Sequence, residues 1–370
     1  AALEDAAEKN PRAARILGEA WLRGFMTGKP DVAKARECWL KAGEKGDAEA
    51  FILLARLHGG DFGFPELKDG AAEAGFYRDA AKAGDADAFV PLGAMLLETG
   101  RSGDEEREGR EWLGKALERK DMSAWHVLGD REKKDGKGEA ATLVYQNGAA
   151  AGDAGCMVRL AEGAPGTGER KEWLVKAAAV GSPVAAARLG RLMLEGGSAA
   201  DLPLARRYLI QSAREGSWQA QYDLGMFYLE GRDGARDADA AVRWLTEAMK
   251  GGDPDVQYKL ATLHQQGIGG PVNYANAGVL YTMACNKGHA AAPARIAEMA
   301  LEGLGTSKDV AQAKAHAMLA VERGDASAQE ILTKLEGALD PEQEAKAAKA
   351  LVDLRAMAKA GVKAEGAPGQ

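Results

Sequence analysis

The sequence has few residues that could form disulfides or bind metal. Only Cys38, Cys156 and Cys285 occur in 370 residues, and no CxxC pair is present. An odd and sparse set of cysteines cannot supply a disulfide framework, and zinc sites need cysteine or histidine ligands at short spacing. The five histidines show no such spacing either. We therefore expect no disulfides, no metal site and no cofactor.

The chain also lacks an excess of basic residues and any long apolar run. Its 48 Lys and Arg residues are outnumbered by 55 Asp and Glu, which gives a formal net charge of -7. Proteins that bind phosphate backbones or anionic membranes usually carry the opposite sign. No segment approaches the roughly 18 to 20 apolar residues that a membrane-spanning helix needs. We therefore expect neither nucleic acid binding nor membrane insertion.

Aromatic residues are scarce as well. They make up 6% of the chain, whereas hydrophobic residues as a whole make up 46%. The apolar content is thus largely alanine and aliphatic residues, and alanine in particular favours helix over strand. The composition predicts an all-α protein.

What the sequence does contain is an internal repeat. Residues Gly216, Gly252, Gly288 and Gly324 are separated by 36 residues each. A fixed period of this length is typical of stacked supersecondary units. The predicted closing positions of the successive units are Gly46, Gly84, Lys120, Gly152, Gly181, Gly216, Gly252, Gly288 and Gly324.

Each unit contains two apolar segments of helical period, so each is predicted to be a pair of helices. We call them the first and second helix of a repeat. Glycines such as Gly231, Gly267 and Gly303 are expected to end first helices, because a C-terminal cap favours a residue with positive φ. A further glycine lies inside many first helices, and we expect an aromatic ring of the second helix to cover it. These interior glycines include Gly18, Gly93, Gly129, Gly190 and Gly225.

The repeat unit has a recognisable pattern. The segment Ala220-Gln221-Tyr222-Asp223-Leu224-Gly225 is followed by Tyr228, Gly231 and Trp244-Leu245, and Gly303-Leu304-Gly305-Thr306-Ser307-Lys308-Asp309 shows the middle section. The pattern resembles the Sel1-like repeat, a relative of the tetratricopeptide repeat. The resemblance implies an all-α, right-handed α-solenoid of about nine helix pairs over residues 1–335. A capping helix over residues 336–359 and a disordered tail over residues 360–370 are expected to follow.

The resemblance also implies a function. Sel1-like proteins act as protein-protein interaction scaffolds or adaptors in bacterial envelope, secretion or regulatory assemblies, and some are immunity partners of toxins. We therefore expect a protein of the bacterial periplasm or a secreted protein whose signal peptide has been removed, with the cytoplasm as the alternative. A periplasmic glycan- or peptidoglycan-associated protein is the alternative function. The oligomeric state is left open.

No catalytic motif competes with this interpretation. Gly163 to Gly168 imitate a phosphate-binding loop, but Glu169 stands where that loop needs lysine, and its carboxylate would repel phosphate. None of the serines is followed by lysine three residues later, as a Ser-x-x-Lys nucleophile requires. We expect no enzymatic activity.

The candidate binding residues lie on the first helices. In solenoids of this kind the first helices line the concave side, and a helical wheel places the residues flanking the repeat leucine away from the core. At these positions the first half of the chain is mainly apolar, and the second half carries a column of basic residues. The column predicts a partner with acidic and apolar groups. The alternative is that the apolar positions pack on neighbouring repeats and the arginines pair with local Asp and Glu. The predicted groove residues are Leu53, Arg56, Val127, Arg159, Arg188, Arg191, Tyr222, Lys259 and Arg295.

Overall fold

The computed structural model describes residues 2–99, 102–196, 198–234 and 236–365, and side chains within these ranges from residue 3 to residue 357. The described residues form α-helices and short 3₁₀ turns, with no strands. They divide into two compact units, residues 1–182 and residues 183–370. Each unit is a stack of helix pairs, so the predicted all-α solenoid fold is confirmed. None of the described helices is both long enough and apolar enough to cross a membrane.

The first unit contains eleven of the described α-helices. They are α1 (Ala2–Lys9), α2 (Pro11–Leu22), α3 (Val32–Glu44), α4 (Ala48–Gly59), α5 (Gly70–Lys82), α6 (Phe89–Thr99), α7 (Gly103–Glu118), α8 (Ala124–Lys134), α9 (Gly138–Ala150), α10 (Ala154–Gly163) and α11 (Thr167–Ala179).

The second unit contains the remaining ten described α-helices. They are α12 (Pro183–Glu195), α13 (Leu202–Arg214), α14 (Trp218–Glu230), α15 (Ala238–Ala248), α16 (Pro254–Gln266), α17 (Tyr274–Asn286), α18 (Ala292–Glu302), α19 (Val310–Glu322), α20 (Ala328–Leu335) and α21 (Pro341–Glu365).

The even-numbered helices from α2 to α18 are the first helices of nine pairs, and each packs most closely on the helix that follows it. Small and aliphatic residues, with a few aromatic rings, fill the space between them. Trp39 and Leu54 are fully buried in the first unit, as Leu224 and Leu245 are in the second. Burial of these apolar faces is the main force that holds each stack together.

The ends of the repeats have the backbone conformation that the sequence predicts. All nine closing positions have positive φ, 80–98° at the eight glycines and 64° at Lys120. Gly231, Gly267 and Gly303 end their first helices with φ of 66°, 69° and 75°. This left-handed conformation costs little for glycine and more for a residue with a Cβ. Lys120 therefore adopts the left-handed conformation of the other closing positions, although it has a Cβ and glycine would adopt this conformation at lower cost.

The expectation for the interior glycines is only partly right. A Cβ placed on Gly18 would lie 2.5 Å from the ring of Trp39, and one on Gly129 would meet the ring of Tyr145. At the other three positions the residue in contact is a leucine. A Cβ on Gly93 would lie 2.6 Å from Leu113. The corresponding distance is 2.7 Å both from Gly190 to Leu209 and from Gly225 to Leu245. The two helices approach closely at these glycines, as expected. In these three pairs, however, the side chain that contacts the glycine is the leucine that follows the aromatic residue in the sequence.

The C-terminal helices continue the stack. Lys346 pairs with Asp309 at the start of α19 (3.0 Å), and Arg355 donates to Glu322 at its end (Nε to Oε2, 3.0 Å). Helix α21 therefore runs parallel to α19, and its Ala347 and Leu351 are buried. It extends to Glu365, beyond the predicted end at residue 359. Residues 366–370 of the predicted tail lie outside the described residues.

Candidate protein-binding surface

The predicted groove residues all lie on first helices. In the first unit, Leu53 and Arg56 are on α4, Val127 is on α8 and Arg159 is on α10. The second unit carries the remaining five. They are Arg188 and Arg191 on α12, Tyr222 on α14, Lys259 on α16 and Arg295 on α18.

The apolar residues predicted as anchors in the first unit are partly used by the fold. Leu53 packs against the core cluster that contains Trp39 and Leu54, and Val127 packs against the cluster that contains Leu92. Both are half-buried. A side chain that already packs against its own core offers a partner only its remaining surface. Leu53 and Val127 therefore remain predicted contacts with reduced free surface.

The basic residues of the first unit are held in local contacts. Arg56 is exposed, pairs with Asp61 (2.9 Å) and lies over the ring of Phe62. The guanidinium of Arg159 forms two hydrogen bonds of 2.8 Å to Asp130 on α8. These contacts neutralise both charges within the unit.

Asp130 is the centre of a small polar cluster. The hydroxyl of Tyr145 on α9 donates to it at 2.7 Å, in addition to the two bonds from Arg159 on α10. Burial alone would raise the pKa of Asp130, but the bonds from Arg159 and Tyr145 hold it below the ordinary value of 3.8. Burial and the bond to Asp130 raise the pKa of Tyr145. The cluster joins three consecutive helices.

The second unit repeats this arrangement between neighbouring first helices. Arg191 on α12 donates to Asp223 on α14 at 2.8 Å. Arg295 on α18 reaches the hydroxyl of Tyr258 on α16 at 3.4 Å, and it also pairs with Glu298 at 2.9 Å. Lys259 on α16 is half-buried. The predicted column of basic residues is thus largely a set of paired charges, as in the alternative that local ion pairs explain it.

The structure brings three of the predicted residues together. Arg188, Arg191 and Tyr222 line two neighbouring cavities in the second unit, and Arg191 belongs to both. The Ser217 cavity has a volume of about 290 Å³. It is lined by Val184, Ala187, Arg188, Arg191, Ser217 and Gln219. The Tyr222 cavity has a volume of about 320 Å³, and it is lined by Arg191, Leu194, Glu195, Tyr222, Asp223, Met226, Phe227, Glu230 and Arg232.

The Tyr222 cavity has an acidic character. Burial, aided by Glu195, raises the pKa of Asp223 although Arg191 acts against it. Burial also raises the pKa of Tyr222, and the carboxylates of Asp255, Asp223 and Asp253 add to the effect. Arg232, the other cation of this cavity, pairs with Glu230 at 2.5 Å. Acidic side chains therefore outnumber basic ones in the lining of the Tyr222 cavity.

The sequence interpretation missed a third cavity. A groove of about 420 Å³ lies along α17, and we call it the α17 groove. Val279 and Met283 of this helix are 62% and 39% exposed. The signal was present in the sequence, because α17 contains no Asp, Glu, Lys or Arg in 13 residues. An uncharged surface helix in a chain with 28% charged residues is unusual enough to notice.

We looked among the described residues for a metal site and for a reactive cysteine. They contain no group of three or more His, Cys, Asp and Glu side chains arranged to hold a metal ion. Cys156 and Cys285 are buried, and burial raises the pKa of the Cys156 thiol to about 12 and that of Cys285 above its ordinary value. A thiol must ionise to act as a nucleophile. Neither cysteine has the environment of a reactive one.

A comparison with protein-family models identifies the repeat. The model described as Sel1 repeat matches residues 11–47, 92–121, 183–217, 218–253, 254–289 and 290–325, together more than half of the chain. The pairs α4–α5, α8–α9 and α10–α11 lie in the unmatched segments. They form the same helix pairs, so the fold is more uniform than the sequence match.

One solved structure supports the same fold, and a second is reported for comparison. A Sel1 repeat protein from Oxalobacter formigenes matches with a TM-score of 0.53 and 22% sequence identity, over 81% of this chain and 90% of that one. A protective antigen present in uropathogenic Escherichia coli strains, which displays an SLR fold, matches with a TM-score of 0.45 and 23% identity over 97% and 87% of the two chains. The comparison with curated proteins gave no match.

Proposed function

Because the chain belongs to the Sel1 repeat family, we propose that it is a non-enzymatic scaffold that binds a protein or peptide segment on the first-helix face of its second unit. Sel1 repeat proteins generally mediate protein-protein interactions, and the family is typically non-enzymatic. The two neighbouring cavities that share Arg191 carry the proposal, since they bring three predicted groove residues to one place.

The chemistry of this face fits a partner with acidic and apolar groups. Arg188 is exposed on α12, and Val184 beside it is 52% exposed. Apolar contact with a neighbouring charge is how peptide grooves combine affinity with orientation. We place the partner here rather than along the first unit, because Leu53 and Val127 already pack against their own cores.

The cellular setting is part of the proposal. A bacterial envelope, secretion or regulatory assembly suits the protein, with the periplasm or the exterior as its location and the cytoplasm as the alternative. A role as the immunity partner of a toxin belongs to the same class of function. Glycan binding is less well supported, because all seven tryptophans are buried or half-buried and none offers an open ring to a sugar.

The experiment is affinity capture from the native host with the full chain. We compare the wild type with Arg188→Glu and with Arg207→Glu as the matched control. Both arginines are exposed and belong to the same helix pair, but Arg207 lies on the second helix α13 rather than on a first helix. We expect one protein to be retained by the wild type and the control, and at least tenfold less of it by Arg188→Glu.

The retained protein is then purified and its affinity for the three chains measured directly. Circular dichroism establishes that the variants are folded. Equal affinity for Arg188→Glu and the wild type would contradict the proposed face, and loss of binding in both variants would indicate a nonspecific charge effect.

A further inference from the structure

The Ser217 cavity has a lining that is unusual for this acidic protein. It lies between α12 and the beginning of α14, with Arg188 and Arg191 on one side and Ser217 and Gln219 on the other. Among the described residues that line it, the charged ones are the two arginines and none is acidic. The neighbouring Tyr222 cavity holds three carboxylates, of Glu195, Asp223 and Glu230, against two guanidiniums. The described lining of the Ser217 cavity therefore offers guanidinium groups and no carboxylate to an anion, in contrast to the lining of the Tyr222 cavity.

The two arginines of this cavity lie on one helix. Arg188 and Arg191 are three residues apart on α12, a spacing that brings side chains onto one face of a helix. Arg191 uses its Nε for Asp223, and a guanidinium has four further N–H donors. Asp223, with 13% of its side chain exposed, thereby holds the Arg191 side chain in position at the edge of the cavity.

The opposite wall adds to the positive potential. Ser217 is the N-cap of α14, and its side chain accepts a hydrogen bond from the backbone N–H of Ala220. The first backbone N–H groups of a helix have no acceptor within the helix and carry a partial positive charge. This contribution only supplements the two arginines, which are the principal anion-binding groups.

We infer that the Ser217 cavity is a carboxylate-binding subsite, in which Arg188 and Arg191 hold a carboxylate of the partner while Val184 and Ala187 contact the adjacent aliphatic carbons. Guanidinium groups bind carboxylates through paired hydrogen bonds, which fix orientation as well as charge. A volume of about 290 Å³ accommodates a carboxylate with a short side chain. The inference rests on the proposed function and states which chemical group of the partner is recognised.

Small molecules test the subsite without knowledge of the partner. The full chain is titrated with N-acetyl-alanine, which carries a main-chain carboxylate, and with N-acetyl-glutamic acid α-methylamide, which carries a side-chain carboxylate. N-acetyl-alanine amide is the neutral control. The indole N–H resonance of Trp218, the first residue of α14, reports binding and is assigned with Trp218→Phe.

We expect the carboxylates to shift the Trp218 resonance with saturation in the millimolar range and the neutral amide to leave it unchanged. The tighter of the two carboxylates tells whether a chain terminus or an Asp or Glu side chain is recognised. Binding is expected to weaken at least tenfold in Arg188→Gln and to remain within twofold of wild type in Arg207→Gln, because Arg207 lies on the second helix α13 and does not line the cavity. Equal binding of amide and carboxylate, unchanged binding by Arg188→Gln, or tighter binding of inorganic phosphate would overturn the inference.

The outcome is separable from that of the capture experiment. If no carboxylate binds but capture still depends on Arg188, the scaffold function stands and the subsite is wrong. If carboxylates bind as expected but the captured protein does not depend on Arg188, the subsite stands and the proposed binding face is wrong. Because Arg188 is exposed, Arg188→Gln is expected to fold, and its melting curve verifies this.

Discussion

At the scale of single residues, the arginines on first helices join neighbouring repeats. Arg159 and Asp130 are 32% and 38% exposed, and their pairing connects α10 to α8. Arg191 and Asp223 connect α12 to α14 in the same way. Partly exposed ion pairs contribute only about 1 kcal/mol or less each, so their main effect is to fix how one first helix lies against the next.

The two aspartates of these pairs predict opposite pH dependences. The pKa of Asp130 is lowered in the folded protein, so its stabilising contribution is complete above 3.8 and is lost as pH falls through its lower folded value. The pKa of Asp223 is raised in the folded protein, so ionisation of this carboxyl destabilises the fold. The loss of stability develops as pH rises from 3.8 through the higher folded pKa.

Urea unfolding of wild type, Asp130→Asn and Asp223→Asn between pH 3 and pH 7 tests this prediction. The advantage of wild type over Asp130→Asn is expected to grow with pH, and its advantage over Asp223→Asn is expected to shrink. The two variants serve as controls for each other. The same slope for both would show that the raised pKa of Asp223 and the lowered pKa of Asp130 are not properties of the folded protein.

At the scale of helices, the sequence predicts caps better than contacts. The positive φ of a closing glycine depends on its own backbone and not on a distant partner. The conformation of Gly216 and Gly252 could therefore be predicted directly from the repeat pattern. The partner of Arg159 could not be predicted in this way. A helical wheel gives the direction of a side chain on one helix, but it does not identify Asp130, 29 positions earlier, as the residue that Arg159 contacts. The same limit explains why Leu113, rather than the ring of Trp112, covers Gly93. One residue along a helix turns the side chain by about 100°.

Helix α21 provides a prediction at this scale. Leu351 is 4% exposed and packs with Cys285 and Leu319, whereas its neighbour Val352 is 60% exposed. Leu351→Ala is expected to lower the free energy of unfolding by about 3 kcal/mol, because it removes buried methyl groups and leaves a cavity. Val352→Ala is the matched control and is expected to change it by about 0.5 kcal/mol or less.

Chemical denaturation measures both variants. Equal effects at the two positions would mean that α21 does not pack on the preceding helices through Leu351. Such a result would also remove the reason to regard α21 as part of the stack. The sequence predicted a polar capping helix in this region, but its buried face follows from contacts with α17 and α19 that the sequence does not reveal.

At the scale of the whole molecule, the repeat pattern led us to expect one continuous array rather than two units. The spacing of the closing positions falls to 32 and 29 residues before Gly181 and is 35 residues from there to Gly216. Contacts group residues 1–182 and 183–370 into separate compact units. The second unit has its own core clusters, one around Leu209 and Leu224 and another around Leu260 and Tyr281. Stability in helical repeats comes from each repeat and its neighbours, so a run of several repeats is sufficient for folding.

The proposed binding face lies entirely within the second unit, and this predicts where binding is retained on dissection. Residues 183–370 alone are expected to give a helical circular dichroism spectrum and to bind N-acetyl-alanine within about twofold of the full chain, because Arg188, Arg191, Ser217 and Tyr222 are all present. Residues 1–182 are expected to show no binding, although Arg56 and Arg159 remain. A folded second unit that fails to bind would show that residues of the first unit complete the site, and binding by the first unit would transfer the proposal to its own first helices.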